Sequence, residues 1–378
     1  MLLFVLTCVR ARNAVHWWQD MKHKILATAM AMLQIQTAAA HWQQKPVRYR
    51  RQLGTNSPTG TDSTVSGGDA NTATGEYAAV GGGYSNLAAG QGTVVGGGTY
   101  NTGKGSWSVV SGGNRNTANN TAASIGGGRY NVAGSYAALA GGLENVASGF
   151  GAVIGGGEKN TANGHLSTAS GGYSNVASGT ATNIGGGEKN HASAYGATIA
   201  GGYGNDALAD DALVAGGYMN TASALESMVG GGYRNIASAY AAAVVGGFRN
   251  VASNENTVVG GGYYNVADGI VSLVGGGFCN TVLGSYAVAT GGYRNTATGQ
   301  GTAVGGGYEN YATGAKATVG GGWLNLVSGA SSTVGGGFRN TAKGSGATIA
   351  GGSYNTASGD YSMAMVRFSF ELCRMYCS

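Results

Sequence analysis

Asn71-Thr-Ala-Thr-Gly-Glu-Tyr-Ala-Ala-Val-Gly-Gly-Gly-Tyr-Ser85 is one copy of a unit that repeats along most of this chain. The consensus is close to Asn-Thr-Ala-Ser-Gly-x-Tyr-Ala-x-Val-Gly-Gly-Gly-Tyr-x, and its Asn recurs every 15 residues as far as Asn355. The spacing slips once, to 14 residues, between Asn131 and Asn145. A strict short period indicates one structural unit stacked many times, so it predicts a solenoid that grows along one axis.

Composition favours stacked strands over disorder. Glycine contributes 74 of the 378 residues, about a fifth of the chain, where about 7% is usual. A Gly-rich chain with 10% charged residues can be disordered, but here the glycines and the apolar residues hold a fixed register. The two prolines, Pro46 and Pro58, both precede the repeats. Since proline has no N–H to donate, its absence from the repeats is what continuous ladders require.

The residue types within one repeat indicate two short strands. Counting each Asn as position 0, position 7 is Ala, Ser or Thr, position 9 is aliphatic, and position 2 is nearly always Ala. Residues of equal parity share one face of a strand, so these positions point inward, in strands near positions 6 to 10 and 14 to 3. Position 8 accepts Thr168, Asn183 and Met228, and it is therefore expected to face outward.

Glycine marks the predicted corners. Positions 11 and 12 are Gly in every complete repeat, and position 4 is Gly, Ala or, at Asn120 and Asn254, Asn. Such residues supply a left-handed φ or a close approach of two backbones. We expect the repeated Asn at position 0 to stack on the Asn of the next coil, in an amide ladder that satisfies backbone groups at the corner.

These patterns predict an all-β fold, a parallel β-solenoid or β-roll of about twenty 15-residue coils, roughly 95 Å long. The core is thin, because each coil buries one Ala, one small residue and one Val or Ile. That is little apolar area for 15 ordered residues. Oligomerisation is the expected remedy.

The chain divides into four segments. Residues 1–40 hold an upstream extension and a secretory signal, Met21–Ala40, with a basic start, an apolar run and small residues before the cleavage site. One longer N-terminal helix or a membrane anchor is the alternative, although the apolar run is shorter than the ~20 residues that span a bilayer. Residues 41–62 form a flexible basic linker, 63–365 the solenoid, and 366–378 a non-repeat tail.

Charge and motifs exclude several classes of function. Eight of the 21 Lys and Arg precede residue 61, so the repeats are nearly neutral, and we expect no nucleic-acid binding. No Cys or His pattern suggests a metal, a cofactor or a catalytic triad, so we expect no enzyme, including a polysaccharide lyase. The segment Gly98–Gly105 resembles a phosphate-binding loop but lacks the Ser or Thr after Lys104. The Asp206, Asp210 and Asp211 cluster is a weak cation site or, more simply, a solvated corner.

The segment Asn355-Thr-Ala-Ser-Gly-Asp-Tyr-Ser-Met-Ala-Met365 resembles the YadA-like head repeat of trimeric autotransporter adhesins, as do Asn145–Gly149 and Asn175–Gly179. The resemblance covers roughly residues 63–365. It implies a left-handed parallel β-roll, assembled as a homotrimer on the surface of a Gram-negative bacterium. It also implies adhesion to host matrix proteins, to cell-surface proteins or glycans, or to other bacteria.

The chain departs from that family's pattern in three respects. Its coil has 15 residues and not 14, and it shows neither a heptad stalk nor a C-terminal barrel anchor. Membrane attachment would therefore need a separate anchor, and a freely secreted protein is the other reading. A secreted structural or surface-layer solenoid without host binding is the alternative function. Ice binding is a minor one, since Thr at position 8 is interrupted by Val, Leu, Met and Asn.

One stripe of the repeat is a candidate binding surface. Position 13 is usually aromatic, and position 14 often adds a cation, a combination that suits recognition. The structural alternative is that the rings pack between the chains of a trimer or stack along the corner. The candidate residues are Tyr173, Tyr203, Tyr218, Tyr233, Arg234, Phe248, Arg249, Tyr293, Arg294, Phe338 and Arg339.

Overall fold

The computed structural model describes residues 55–364. They form an all-β parallel solenoid of about 21 coils with 15 residues per coil, which confirms the predicted fold class. The described residues contain no helix long and apolar enough to cross a membrane. The predicted signal Met21–Ala40, the greater part of the basic linker and the tail 366–378 lie outside this range.

Every coil contributes two strands of two residues each, so that the strands, numbered β1 to β42 in chain order, alternate between two parallel ladders. The odd-numbered strands are Ser57–Pro58, Thr72–Ala73, Leu87–Ala88, Thr102–Gly103, Thr117–Ala118, Val132–Ala133, Val146–Ala147, Thr161–Ala162, Val176–Ala177, His191–Ala192, Asp206–Ala207, Thr221–Ala222, Ile236–Ala237, Val251–Ala252, Val266–Ala267, Thr281–Val282, Thr296–Ala297, Tyr311–Ala312, Leu326–Val327, Thr341–Ala342 and Thr356–Ala357. The even-numbered strands are Thr64–Val65, Ala79–Val80, Val94–Val95, Val109–Val110, Ser124–Ile125, Ala138–Leu139, Val153–Ile154, Thr168–Ala169, Asn183–Ile184, Thr198–Ile199, Leu213–Val214, Met228–Val229, Ala243–Val244, Val258–Val259, Leu273–Val274, Val288–Ala289, Ala303–Val304, Thr318–Val319, Thr333–Val334, Thr348–Ile349 and Met363–Ala364.

The coil has three sides where the sequence predicted two. The strands occupy positions 1–2 and 8–9, and position 13 forms a further parallel bridge from each coil to the next, beginning with Asp69 to Tyr84. The strands are shorter than predicted because positions 6 and 14 are left-handed, as at Tyr77 (φ 57°) and Ser85 (φ 54°). A strand cannot continue through a left-handed residue.

The predicted inward positions are confirmed. Asn205, Ala207, Ala212 and Val214, at positions 0, 2, 7 and 9 of one coil, are all 0% exposed, whereas Leu213 at position 8 is partly exposed. The core is therefore one column of small and aliphatic side chains beside one column of buried Asn. A column this narrow leaves little apolar burial per coil, so its hydrogen bonds matter more than usual.

The solenoid begins earlier than residue 63, where the sequence analysis placed its start. Strand β1, Ser57–Pro58, pairs in parallel with Thr72–Ala73, within the segment assigned to the linker. Proline is tolerated there because β1 is the first strand of its ladder, and the flanking Ser57 and Thr59 N–H groups donate to the next coil.

Glycine is favoured at position 4 because the backbones of two neighbouring coils approach closely there, and not because the backbone is left-handed. Gly75 has no left-handed φ, but a Cβ on it would overlap Gly90 O in the next coil. At position 12 both reasons apply, since Gly83 has a φ of +92° and a Cβ would overlap Gly98 O. The left-handed corners at positions 6 and 14 mostly hold residues other than Gly, and few of the residue types at these positions signal such a backbone.

Val271 offers a test of this corner geometry. It occupies position 6 with a φ of 55°, a conformation that β-branched residues rarely adopt, and it is 45% exposed. Asn tolerates the left-handed region, so Val271→Asn should raise stability by about 1 kcal/mol, read as a higher urea midpoint. Val288→Asn, at the outward strand position 8, is the matched control and should not be stabilising. Equal changes of the urea midpoint in the two variants would contradict the left-handed backbone at position 6.

Candidate functional site

Buried Asn side chains join each coil to the next. The N–H of Asn235 donates to Oδ1 of Asn220 at 2.9 Å, and Asn250 N–H donates in turn to Asn235 Oδ1 at 2.9 Å. The Asn235 Nδ2 donates to Gly231 O at 2.8 Å and to Gly247 O at 2.9 Å. The predicted ladder is therefore present, but its constant link is a backbone N–H to a side-chain oxygen, with direct amide-to-amide bonds in only some coils.

The ladder continues through both irregularities of the repeat. Asn71 N–H donates to Asn56 Oδ1, so the column starts one Asn earlier than the repeats indicated. Across the 14-residue coil, Asn145 N–H still donates to Asn131 Oδ1 at 3.0 Å. The shorter coil is thus accommodated without breaking the column. This regularity fixes the spacing at which all outward side chains recur.

The aromatic residues at position 13 form a continuous stack. Their backbone bridges place one ring per coil, at a coil spacing of about 4.8 Å. Neighbouring ring centroids are 4.5–5.1 Å apart and the ring planes are within 8° of parallel. The stacked rings are Tyr203, Tyr218, Tyr233, Phe248, Tyr263, Phe278, Tyr293 and Tyr308. Beyond Tyr308 the contacts become edge-to-face, with Trp323 and then Phe338.

Arginines at position 14 lie against these rings. The guanidinium carbons of Arg234, Arg249, Arg294 and Arg339 are 5.2–5.5 Å from the centroids of the aromatic rings that precede them in sequence. These are cation–π distances. We name the surface formed by positions 13 and 14 from Tyr203 to Arg339 the aromatic corner.

Two position 14 lysines that precede the aromatic corner in the sequence are paired with acids. Lys159 Nζ lies 3.3 Å from Glu158, and Lys189 Nζ lies 3.2 Å from Glu188. The pKa of Lys189 is raised, first by its hydrogen bond to Tyr203 Oη and then by Glu188. Within the corner, Arg294 lies 3.5 Å from Glu309, and the proximity of Tyr293 raises the pKa of Arg294. Among the described residues, no carboxylate lies within 4.0 Å of the other three guanidiniums.

Most of the predicted candidate residues come together in this surface. Tyr203, Tyr218, Tyr233, Phe248 and Tyr293 lie in the parallel stack, with Arg234, Arg249 and Arg294 beside it, and Phe338 with Arg339 lies in the edge-to-face extension. Tyr173 does not join it. Glu158 and Glu188 occupy the bridged positions on either side of Tyr173, so no ring reaches it along the column.

Two further aromatic groups were not predicted. Tyr100 and Tyr130, at position 14, flank Arg115 at 5.4 Å each. Tyr136, Phe150 and His165 form a column at another corner, with Phe150 and His165 stacked at 5.2 Å, although His165 is isolated in the sequence. Reading every position of the repeat for aromatic residues, and not position 13 alone, would have found both groups.

The remaining motifs form no site of comparable order. Asp206 lies in register with His191, and burial raises its pKa while His191 opposes the rise. No group of three metal-ligating side chains occurs within residues 55–364. The position 8 face is apolar from Leu213 to Ala303, and consecutive Thr occur only from Thr318 to Thr348.

Together the coil and its corner define the class: the chain is a β-solenoid repeat protein with an ordered aromatic column on its outside. Comparison with protein-family models and with characterised proteins finds no match for it.

Proposed function

We propose that this protein is the head of a non-enzymatic, secreted or surface-exposed adhesin, which attaches its cell to host matrix, to host cells or to other bacteria. The observation that carries the proposal is the aromatic corner, a continuous run of partly exposed rings and guanidiniums held in register by the coil. Tyr218 and Phe278 are each 37% exposed. Aromatic rings and Arg are the side chains that contribute most to binding surfaces.

The resemblance to YadA-like head repeats supports the same proposal. Both coils combine an Ala-Ser-Gly corner with alternating small and aliphatic inward residues. On this basis the head is a left-handed trimer on the outer surface of a Gram-negative bacterium. Attachment needs no catalysis, and a repeated surface gains avidity when several contacts form at once.

The trimer has its own test. The thin core buries little apolar area per coil, so association of three chains should add the missing burial. We expect the purified chain to sediment as a trimer at low micromolar concentration and to unfold at a temperature that rises with concentration. A folded species that sediments as a monomer across that range would contradict the trimer.

Attachment is tested with beads that carry the purified chain. We expect such beads to adhere to layers of extracellular matrix or of cultured cells more than beads that carry the heat-unfolded chain. Soluble folded chain should compete for the adhesion. Equal adhesion of folded and unfolded chain, or none, would exclude the adhesin function.

A structural solenoid that does not bind a host is the second candidate. The parallel stack favours it in one respect, because each aromatic pair contributes about 0.5–1.5 kcal/mol to stability without any ligand. If stacking were the only role of the corner, replacing its arginines would leave adhesion unchanged, and this result would favour the structural candidate.

A further inference from the structure

We infer that the aromatic corner binds a linear acidic polysaccharide, whose carboxylate or sulfate groups pair with the corner's arginines while its hydroxyls contact the ring edges. This inference rests on the proposed attachment function and names the ligand class of that surface. Three features of the corner support it: the exposed part of the rings, the unpaired cations and the length of the column.

The rings present their edges and not their faces. With neighbouring centroids 4.7 Å apart and planes within 3° of parallel, Tyr233 and Phe248 cover one another's faces, and the same holds along the stack. The edge of an aromatic ring carries the positive end of its quadrupole. A row of ring edges therefore favours an anionic or hydroxyl-rich partner over an apolar one, and the Tyr hydroxyls can donate to it or accept from it.

Three of the four arginines beside these edges lack acidic partners among the described residues. Among the described residues, Arg234, Arg249 and Arg339 form no ion pair, whereas Arg294 is paired with Glu309. Guanidinium groups bind planar carboxylates and sulfates through two parallel hydrogen bonds. The corner thus holds excess positive charge beside its stacked rings.

The geometry of the column selects an extended ligand. Arg234 and Arg339 are seven coils apart in the repeat, a distance of about 34 Å at one coil per ~4.8 Å. Only a chain molecule reaches all of these cations together. Single-stranded nucleic acid is also an extended polyanion, but its bases bind by stacking on open ring faces. From Tyr203 to Tyr308 those faces are already covered, so an acidic polysaccharide fits better.

The test compares two sets of charge-removing variants of the full chain. One combines Arg234→Gln, Arg249→Gln and Arg339→Gln. The control combines Lys104→Gln, Lys316→Gln and Lys343→Gln, which removes the same charge at positions 3 and 6, away from the corner. The probes are heparin for sulfate, polygalacturonate for carboxylate, dextran as the neutral glycan and oligo(dT) as the nucleic acid. Circular dichroism checks that each variant keeps the wild-type fold.

We expect the wild-type chain to bind heparin, polygalacturonate or both, with an affinity that falls as salt rises, and not to bind dextran. The corner variant should bind roughly tenfold more weakly, while the control stays near wild type. Arg→Lys changes at the same three positions should restore only part of the affinity, since Lys lacks the bidentate geometry.

Three results would overturn the inference: no binding to either acidic glycan, equal weakening by both sets of variants, or oligo(dT) binding as tight as glycan binding. If the beads adhere to cells or matrix while the acidic glycans do not bind, the inference fails and the attachment function stands. If the beads do not adhere at all, the attachment function itself fails.

Discussion

Asn235→Ala is expected to destabilise the solenoid by about 3–5 kcal/mol, because the change leaves two polar groups without partners and removes one hydrogen bond from a third. The buried N–H of Asn250 and the carbonyl oxygen of Gly231 lose their partners. Gly247 O loses one donor and keeps the backbone N–H of Tyr233. The Asn235 side chain is fully buried, so water cannot easily replace it. The loss should appear as faster amide hydrogen exchange in the coils on either side, since repeat proteins open locally before they unfold globally.

Asn183→Ala is the matched control for this prediction. Asn183 lies at the outward position 8, and its side chain makes no hydrogen bond with the described residues, so the change should cost less than about 0.5 kcal/mol. Asn235→Asp separates the roles of the two side-chain atoms. The aspartate keeps an oxygen that accepts from Asn250 N–H. It replaces the amide nitrogen that donates to Gly231 O with a second oxygen, which cannot donate. Similar hydrogen exchange in Asn235→Ala and Asn183→Ala would show that the Asn column does not stabilise the fold.

Gly247→Ala should be the other strongly destabilising change, at about 2–5 kcal/mol, from the left-handed backbone and from the forced separation of two coils. Gly247 has a φ of +91°, and a Cβ on it would overlap Gly262 O and lie 2.6 Å from Asn250 Nδ2. The substitution therefore disturbs the close approach of two coils and the Asn column at one point. Thermal unfolding should begin at a lower temperature than in the wild-type chain.

The preceding residue is the control for Gly247. Gly246 lacks a left-handed φ, and the nearest atom to an added Cβ is Gly231 O at 4.0 Å. Gly246→Ala should leave the unfolding temperature within a few degrees of the wild type. A comparable loss in both variants would mean that the Gly-Gly-Gly corner is needed for flexibility in general and not for the geometry of position 12.

The class of fold could be predicted from the sequence because the repeat has a strict period and because inward and outward residues alternate regularly within it. Small or aliphatic residues at positions 7 and 9 leave only one inward face, and the buried Val214 and Ala212 confirm it. The third side of the coil was missed because a single bridged residue such as Tyr218 has no neighbour of equal parity to reveal a strand. The left-handed corners were missed because Val271 and Tyr77 are not residue types that signal such a backbone.

The candidate surface was predicted in outline and not in geometry. Periodicity showed that the rings and arginines share one stripe, but not whether the rings stack on one another or separate. The structure resolves this in favour of parallel stacking within one chain, from Tyr203 to Tyr308. Whether a guanidinium forms an ion pair depends on the side chain one coil away, and Arg294 is paired because that side chain is Glu309. A pattern read along one repeat does not contain that information.

Site-specific photocrosslinking tests most directly whether the aromatic corner is the surface that makes contact. Tyr233→p-benzoylphenylalanine places the reactive group in the stack, and Thr168→p-benzoylphenylalanine places it on the outward strand face as the control. Both chains are bound to the same matrix or cell layer and illuminated. The proposed function predicts covalent adducts with the layer from the Tyr233 variant and few from the Thr168 variant. Adducts from Thr168 alone, while both chains remain attached, would contradict it.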